Sequence, residues 1–138
     1  MSPLSLCRYV AAIANDGVMM SPRYSSEDSV KVYRQLLLAD EARLLQDCMK
    51  GQAADKFGEY SSHIGGKTGT PNRVDRSKAG GISNDALYAF FIDADGTAAG
   101  NPLAVVVRLE RVNTNSKLAM QMVREVVLPM LKEKGYIL

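Results

Sequence analysis

The chain has 138 residues, 46% of them apolar and 23% charged, with 17 basic against 15 acidic side chains and a net charge of +2. That suits one domain with one core, and the small charge excess gives no argument for nucleic acid or a membrane surface as partner. No apolar run approaches the roughly 20 residues that span a bilayer, and Met1 leads straight into Ser2-Pro3, so no signal or membrane segment is expected within the chain.

In chain order, Ser2-Pro3 reads as a helix start, a hydroxyl cap followed by proline at the first helical position. Leu6, Val10, Ile13 and Ala14 follow at helical spacing, and Asn15-Asp16-Gly17 ends the helix with a glycine able to take a left-handed backbone. Val18-Met19-Met20 reads as a short strand stopped by Ser21-Pro22. Ser25-Ser26-Glu27-Asp28 reads as a turn, and Val30, Val32 and Tyr33 as a short strand after it. From Asp40 to Lys50 the pairs Leu44/Cys48 and Leu45/Met49 predict a helix closed by Gly51, followed by a polar loop from Gln52 to Tyr60. Cys7 and Cys48 have no paired spacing and apolar neighbours, so both read as small buried hydrophobes rather than a disulfide. His63, the single histidine, reads as a polar residue entering a strand, and gives a metal cluster or a Ser-His-Asp triad little to stand on.

The segment from Pro71 to Asp85 has no clear periodicity and is expected to be a mobile loop, its Arg73, Arg76 and Lys78 a solvated face. Ala86 to Ile92 is a strand rich in aromatic residues, and Leu103 to Glu110 a second one. The turn residues Asp95-Gly96 and Gly100-Asn101-Pro102 between them predict an antiparallel hairpin. Asn115-Ser116 caps a last helix whose apolar stripe is Ala119, Met122, Val123, Val126, Val127 and Met130, with a kink or a tightened last turn at Pro129 and an end at Gly135.

One stretch is crowded for a chemical reason. In Ile64-Gly65-Gly66-Lys67-Thr68-Gly69-Thr70, glycines remove side chains from the backbone, so that a polar ligand can lie against it. Lys67 offers a positive charge to an anionic group, and Thr68 and Thr70 offer hydroxyls and backbone donors. A phosphate-binding loop would need glycine at position 61, which is Ser61, and a helix directly after Thr68. The other reading is the Lys-Thr-Gly box of serine acyl-transferases that bind β-lactams, which sits on a strand lining the active site.

The helix ending in Ala14-Asn15-Asp16-Gly17, followed by a second helix, the Gly66-Lys67-Thr68-Gly69-Thr70 strand, a hairpin and a long final helix, resembles the C-terminal half of the transpeptidase domain of penicillin-binding proteins. The likeness runs over nearly the whole chain. It implies an α+β fold, a partial antiparallel sheet (about three strands here) packed by helices, as a single partial domain over residues 1–138. By that resemblance Lys67 would hold the substrate carboxylate and Thr68 would hydrogen-bond it. Gly69 would let the substrate backbone lie against the strand, and the Thr70 N–H would be one oxyanion donor. The substrates implied are peptidoglycan stem peptides and β-lactams, without cofactor, metal or nucleic acid, and with the parent protein anchored in the cytoplasmic membrane and this domain on its outer side.

The chain departs from that pattern where chemistry starts. Acylation needs Ser-x-x-Lys on one helical turn, and no serine here has lysine three residues on. Nor is there a Ser-x-Asn, since Ser83-Asn84-Asp85 has the letters in another order. The expectation is a C-terminal piece of a D,D-transpeptidase, beginning at an added or internal Met1, that supplies part of the carboxylate pocket and is inactive alone. The alternative is a natural non-catalytic binding or assembly module. With the family's leading strands missing, the 103–110 strand would be an open apolar edge, and a dimer or strand exchange through it is expected.

Overall fold

The computed structural model describes residues 1–74, 77 and 80–138. A three-stranded antiparallel sheet in the order β3 (Ile64–Gly69), β6 (Ala86–Ile92), β7 (Leu103–Leu109) lies at its centre. Helix α1 (Pro3–Ala14) covers one face and the C-terminal helical segment the other, while α2 (Ala39–Ala53) packs beside β3. Two small ribbons complete the fold, β1 (Val18–Met20) with β2 (Val32–Gln35), and β4 (Asn72–Val74) with β5 (Ile82–Asn84). The α+β class and the three-stranded partial sheet are as the sequence implied.

Strand β6 organises the packing, because its side chains alternate between two buried faces. Tyr88, Phe90 and Ile92 meet Phe57, Ala119, Val123 and Leu128 in the larger cluster. Ala89 and Phe91 meet Val10, Leu6 and Met49 in the smaller one, under α1. A strand buried on both sides reads as a continuous apolar run, as Ala86 to Ile92 does.

Helix α1 starts as read, with the Ser2 hydroxyl accepting from the Ser5 N–H at 3.1 Å. Past its last residue, Ala14, the chain turns at Gly17, whose φ of +86° is left-handed and where a Cβ would stand 2.2 Å from the Leu37 carbonyl oxygen. Helix α2 does not close at Gly51 but continues to Ala53, which is fully buried in the larger cluster. Burial of Ala53 outweighs glycine's weak helix propensity. At the other end of α2, Glu41 accepts from the Leu38 N–H at 2.8 Å.

Three further expectations are corrected. The 71–85 stretch holds the β4–β5 hairpin, with Asn72 opposite Asn84 and Val74 opposite Ile82, so its described part is ordered structure; Arg76 and Lys78 lie outside the described residues. Cys48 is exposed on α2 and only Cys7 is half-buried, its thiol pKa raised by burial; both are free thiols. The last helix changes its hydrogen-bonding stride. α3 (Lys117–Met122) passes through a π turn (Val123–Val127) into α4 (Leu128–Glu133). Pro129 has no N–H and its ring crowds the carbonyl four residues back, so widening the preceding turn relieves both. The extra residue rotates the stripe: Ala119, Val123, Leu128 and Leu131 are buried, while Val126 and Met130 are 51% and 42% exposed.

Candidate functional site

The candidate residues lie on β3, an edge strand whose outer side pairs with no other strand among the described residues. Its inner side pairs with β6 in unbroken register, from Ile64 opposite Ile92 to Gly69 opposite Leu87. The first half, Ile64-Gly65-Gly66, is buried, while Lys67 is exposed, Thr68 and Gly69 half-buried, and Thr70 exposed just past the strand. One strand thus carries both a packed half and an open half.

The glycines divide the same way, and this corrects the expectation that they serve one purpose. A Cβ on Gly65 would stand 2.4 Å from the Phe91 ring, and one on Gly66 2.2 Å from the Tyr88 hydroxyl. These two positions are glycine because aromatic rings of β6 fill the space, not because a ligand approaches. At Gly69 the nearest atom is the end of the Leu87 side chain at 3.2 Å. Gly69 alone of the three has no ring or backbone atom in the place of its missing Cβ.

Alternation along β3 pairs Lys67 with Ala89 on the α1 face and Thr68 with Tyr88 on the other. What Lys67, Thr68 and Thr70 share is therefore the open outer edge, where side chains from both faces can reach one extended ligand. The Lys67 Nζ donates to its neighbour's carbonyl, Thr68 O, at 3.0 Å, and no acidic side chain pairs with it among the described ion pairs. An ammonium held only by a carbonyl keeps its charge available to an incoming anion.

Two clefts flank this stretch on the α1 face. One of about 390 Å³ lies between α1 and α2 and is lined by Lys67, Ala89, Val10, Leu45 and Met49. The other, about 380 Å³, lies beyond Gly69 and is lined by Pro71, Leu87, Leu6, Pro3 and Arg108. The arrangement offers a cation, two hydroxyls and an unpaired strand edge beside apolar walls, which suits an extended peptide with a terminal carboxylate.

Two polar clusters escaped the sequence reading. At the far end of β3, Asp93 accepts from Lys50 Nζ at 2.5 Å and lies 2.9 Å from His63 Nδ1, which joins α2 to the start of β3 and the end of β6. His63 does enter the strand as expected. Burial pushes the Asp93 carboxyl up, but its bonds to Lys50 and His63 outweigh that and leave it lowered. At the near end, the Asp85 side chain is 1% exposed and accepts from Arg108 Nε and Nη2 at 3.0 and 2.7 Å and from the Arg111 N–H at 2.9 Å. The Arg111 N–H first, and then Arg108, hold its pKa below the ordinary carboxylate value. A carboxylate between two arginines distant in sequence leaves no local signature. Among the described residues no group of three or more His, Cys, Asp or Glu is placed to hold a metal, and no helix is long and apolar enough to cross a membrane.

Residues 1–128 match the family model for the penicillin-binding protein transpeptidase domain. The fold is similar to that of penicillin-binding protein A from Mycobacterium tuberculosis, with TM-score 0.69 and 25% identity over 95% of this chain and 34% of that one. The penicillin G acyl-enzyme complex of that protein gives TM-score 0.70 at 23% identity, over 95% of this chain and 32% of that one. Penicillin-binding protein 3 of the same organism gives TM-score 0.67 at 17% identity, over the whole of this chain and 36% of that one. The chain therefore spans about a third of the length of these structures. No curated protein sequence matches it.

Proposed function

The chain belongs to the penicillin-binding protein transpeptidase family, and from that premise we propose that it forms part of a D,D-transpeptidase, supplying the pocket that takes the terminal carboxylate of a peptidoglycan stem peptide. The observation that carries this reading is the open half of β3, with an exposed Lys67 beside Thr68, Gly69 and Thr70 on an unpaired strand edge. The peptide adds along that edge, Lys67 and Thr68 hold its carboxylate, Gly69 lets it approach, and the Thr70 N–H faces the developing oxyanion. β-Lactams carry a similarly placed carboxylate, and the penicillin G acyl-enzyme of the M. tuberculosis protein supports their binding here. The parent protein works at the outer side of the cytoplasmic membrane. With no Ser-x-x-Lys and no Ser-x-Asn in the sequence, this chain alone binds and does not acylate.

The test is a titration of the ¹⁵N-labelled chain with an acyl-D-Ala-D-Ala peptide. The amides of residues 67–70 should shift, and Lys67→Ala should move the titration midpoint to roughly tenfold higher peptide without changing the fold. Penicillin G should leave the mass of the protein unchanged. Amide shifts confined to other surfaces would overturn the carboxylate pocket, and a covalent penicillin adduct would overturn the inactive half.

A second reading has one observation in its favour. Strand β7 is the other edge of the sheet, and its Val105-Val106-Val107 run carries none of the prolines or lysines that usually blunt an edge. An antiparallel pairing of two copies about Val106 puts Val105 opposite Val107 and makes the chain an assembly module. A dimer in sedimentation, abolished by Val106→Lys, supports this; a monomer at millimolar concentration removes it.

A further inference from the structure

A buried carboxylate is costly unless it is paired and hydrogen-bonded, and its presence in so small a fold calls for a reason. Asp85 stands where four pieces of chain meet. Its backbone N–H donates to the Pro71 carbonyl at 3.0 Å, one residue past Thr70. Its Oδ2 holds Arg108 near the end of β7, and its Oδ1 holds the N–H of Arg111, a residue at φ +54° in the turn that follows. Arg73 of β4 lies 3.8 Å from the same Oδ2 and reaches Glu110 at 3.4 Å. A parallel tie joins the same segments, because the Asn84 N–H donates to Asn113 Oδ1 at 3.3 Å and the Asn113 N–H to the Asn84 carbonyl at 3.2 Å.

This arrangement resolves a mechanical problem of the open half. Past Gly69 the chain leaves the β3–β6 ladder and enters a hairpin, so among the described residues the backbone at Thr70 and Pro71 belongs to no strand pair. The Asp85 N–H is what fixes it from the β6 side, and Asp85 in turn is fixed by two groups of the β7 end. A site whose donors must sit within a fraction of an ångström needs such support.

We propose that Asp85 is a positioning residue for the carboxylate and oxyanion site: by clamping Arg108, Arg111 and Pro71 together it sets where the Thr70 backbone N–H points. The proposal rests on the reading of Lys67–Thr70 as a substrate site. Asp85 touches no substrate. It acts through Pro71, and its effect is on geometry rather than on charge at the ligand.

The experiment records amide spectra and acyl-D-Ala-D-Ala affinity for the chain and for three variants. Asp85→Asn keeps the shape and removes the charge. Arg108→Lys keeps the charge and removes the side-on fork, and stays informative if Asp85→Asn does not fold. Asp93→Asn breaks the equivalent cluster at the far end of the sheet. The expected result is that Asp85→Asn and Arg108→Lys move the Thr70 amide and weaken the peptide by roughly tenfold or more, whereas Asp93→Asn lowers stability and leaves both unchanged. A Thr70 amide that stays in place in either folded site-end variant overturns the proposal and makes Asp85 merely structural. Equal weakening by Asp93→Asn also overturns it. If the Thr70 amide moves in Asp85→Asn while the unmodified chain binds no peptide, the clamp stands and the substrate reading falls.

Discussion

The two halves of β3 share a strand, a partner and a register, yet obey different rules. In Ile64-Gly65-Gly66 the strand is pressed between α2 and the rings of Phe91 and Tyr88, and its composition is a packing solution. In Lys67-Thr68-Gly69-Thr70 the backbone is the same but the walls withdraw, and what remains is charge, hydroxyls and an unpaired edge. A run of glycines in one strand can therefore have two causes. They separate only when the atoms that a Cβ would meet are known. The difference teaches that this site is built as a rigid stem with a free tip, the stem fixed by packing and the tip by the hydrogen bonds at Asp85.

The largest effect should come from breaking the stem. Gly65→Ala or Gly66→Ala forces a buried ring to move and should cost about 3 kcal/mol, since close-packed cores take added methyl groups badly. Urea unfolding checks this. Gly69→Ala, facing only the tip of Leu87, should cost under about 1 kcal/mol. Equal losses at the three positions would erase the division.

Next comes the tip. Lys67→Ala should leave stability within about 0.5 kcal/mol, as an exposed substitution does. It should weaken a carboxylate-terminated peptide by roughly tenfold, the loss of one charge-assisted hydrogen bond. Titration calorimetry and thermal unfolding on the same variant separate the two effects. A variant that loses stability but not affinity would assign Lys67 to the stem.

Those two predictions also show what was legible in the sequence. The central strands and the helices were, because β6 is apolar throughout and the caps at Ser2 and Gly17 are local. The β4–β5 hairpin reads as a loop in the sequence, because three-residue strands carry too little periodicity. The Lys67–Thr70 cluster stood out as a candidate, because its residue types have no packing reason to sit together. The cause of Gly65 and Gly66 was not legible, because Phe91 and Tyr88 lie more than twenty residues away. The π turn was half legible: Pro129 announced a disturbance, but widening rather than kinking shifted the stripe by one residue and exposed Val126 and Met130. Asp85 was passed over because its partners come from β7 and the turn after it.

A smaller effect, confined to acid, distinguishes the two ends. Asp85 and Asp93 both have lowered folded-state pKa values, so each contributes stability that is present above the ordinary carboxylate value, about 4, and is lost as pH falls through the folded value. The groups around Asp85 are Arg73, Arg108, Glu110 and the Arg111 N–H; those around Asp93 are Lys50, His63 and the Gly96 N–H. Below pH 4 the Thr70 amide should follow the protonation of Asp85 and not that of Asp93. In Asp85→Asn its resonance should be flat over the same range. A Thr70 amide that tracks Asp93 instead would tie the tip to the stem and undo the separation.

The smallest expected effect tests whether the stem is packing alone. Tyr88 is 2% exposed, its ring lies between Phe57 and Phe90, and its hydroxyl has no hydrogen-bond partner among the described residues. Burial drives its pKa well above the ordinary tyrosine value, as expected for a phenol whose ionised form nothing nearby stabilises. An unpartnered buried hydroxyl costs free energy, so removing it should help or do nothing. Tyr88→Phe keeps both ring contacts and should leave stability unchanged or raise it by about 1 kcal/mol, with peptide affinity unaltered. The outcome has a sign, which makes it decisive despite its size. A loss of stability would mean that the hydroxyl bonds into the stem and that Gly66 is glycine to admit a hydrogen bond, not a ring. A gain would leave the first half of β3 with no polar requirement, and place every polar requirement of the strand beyond Gly66.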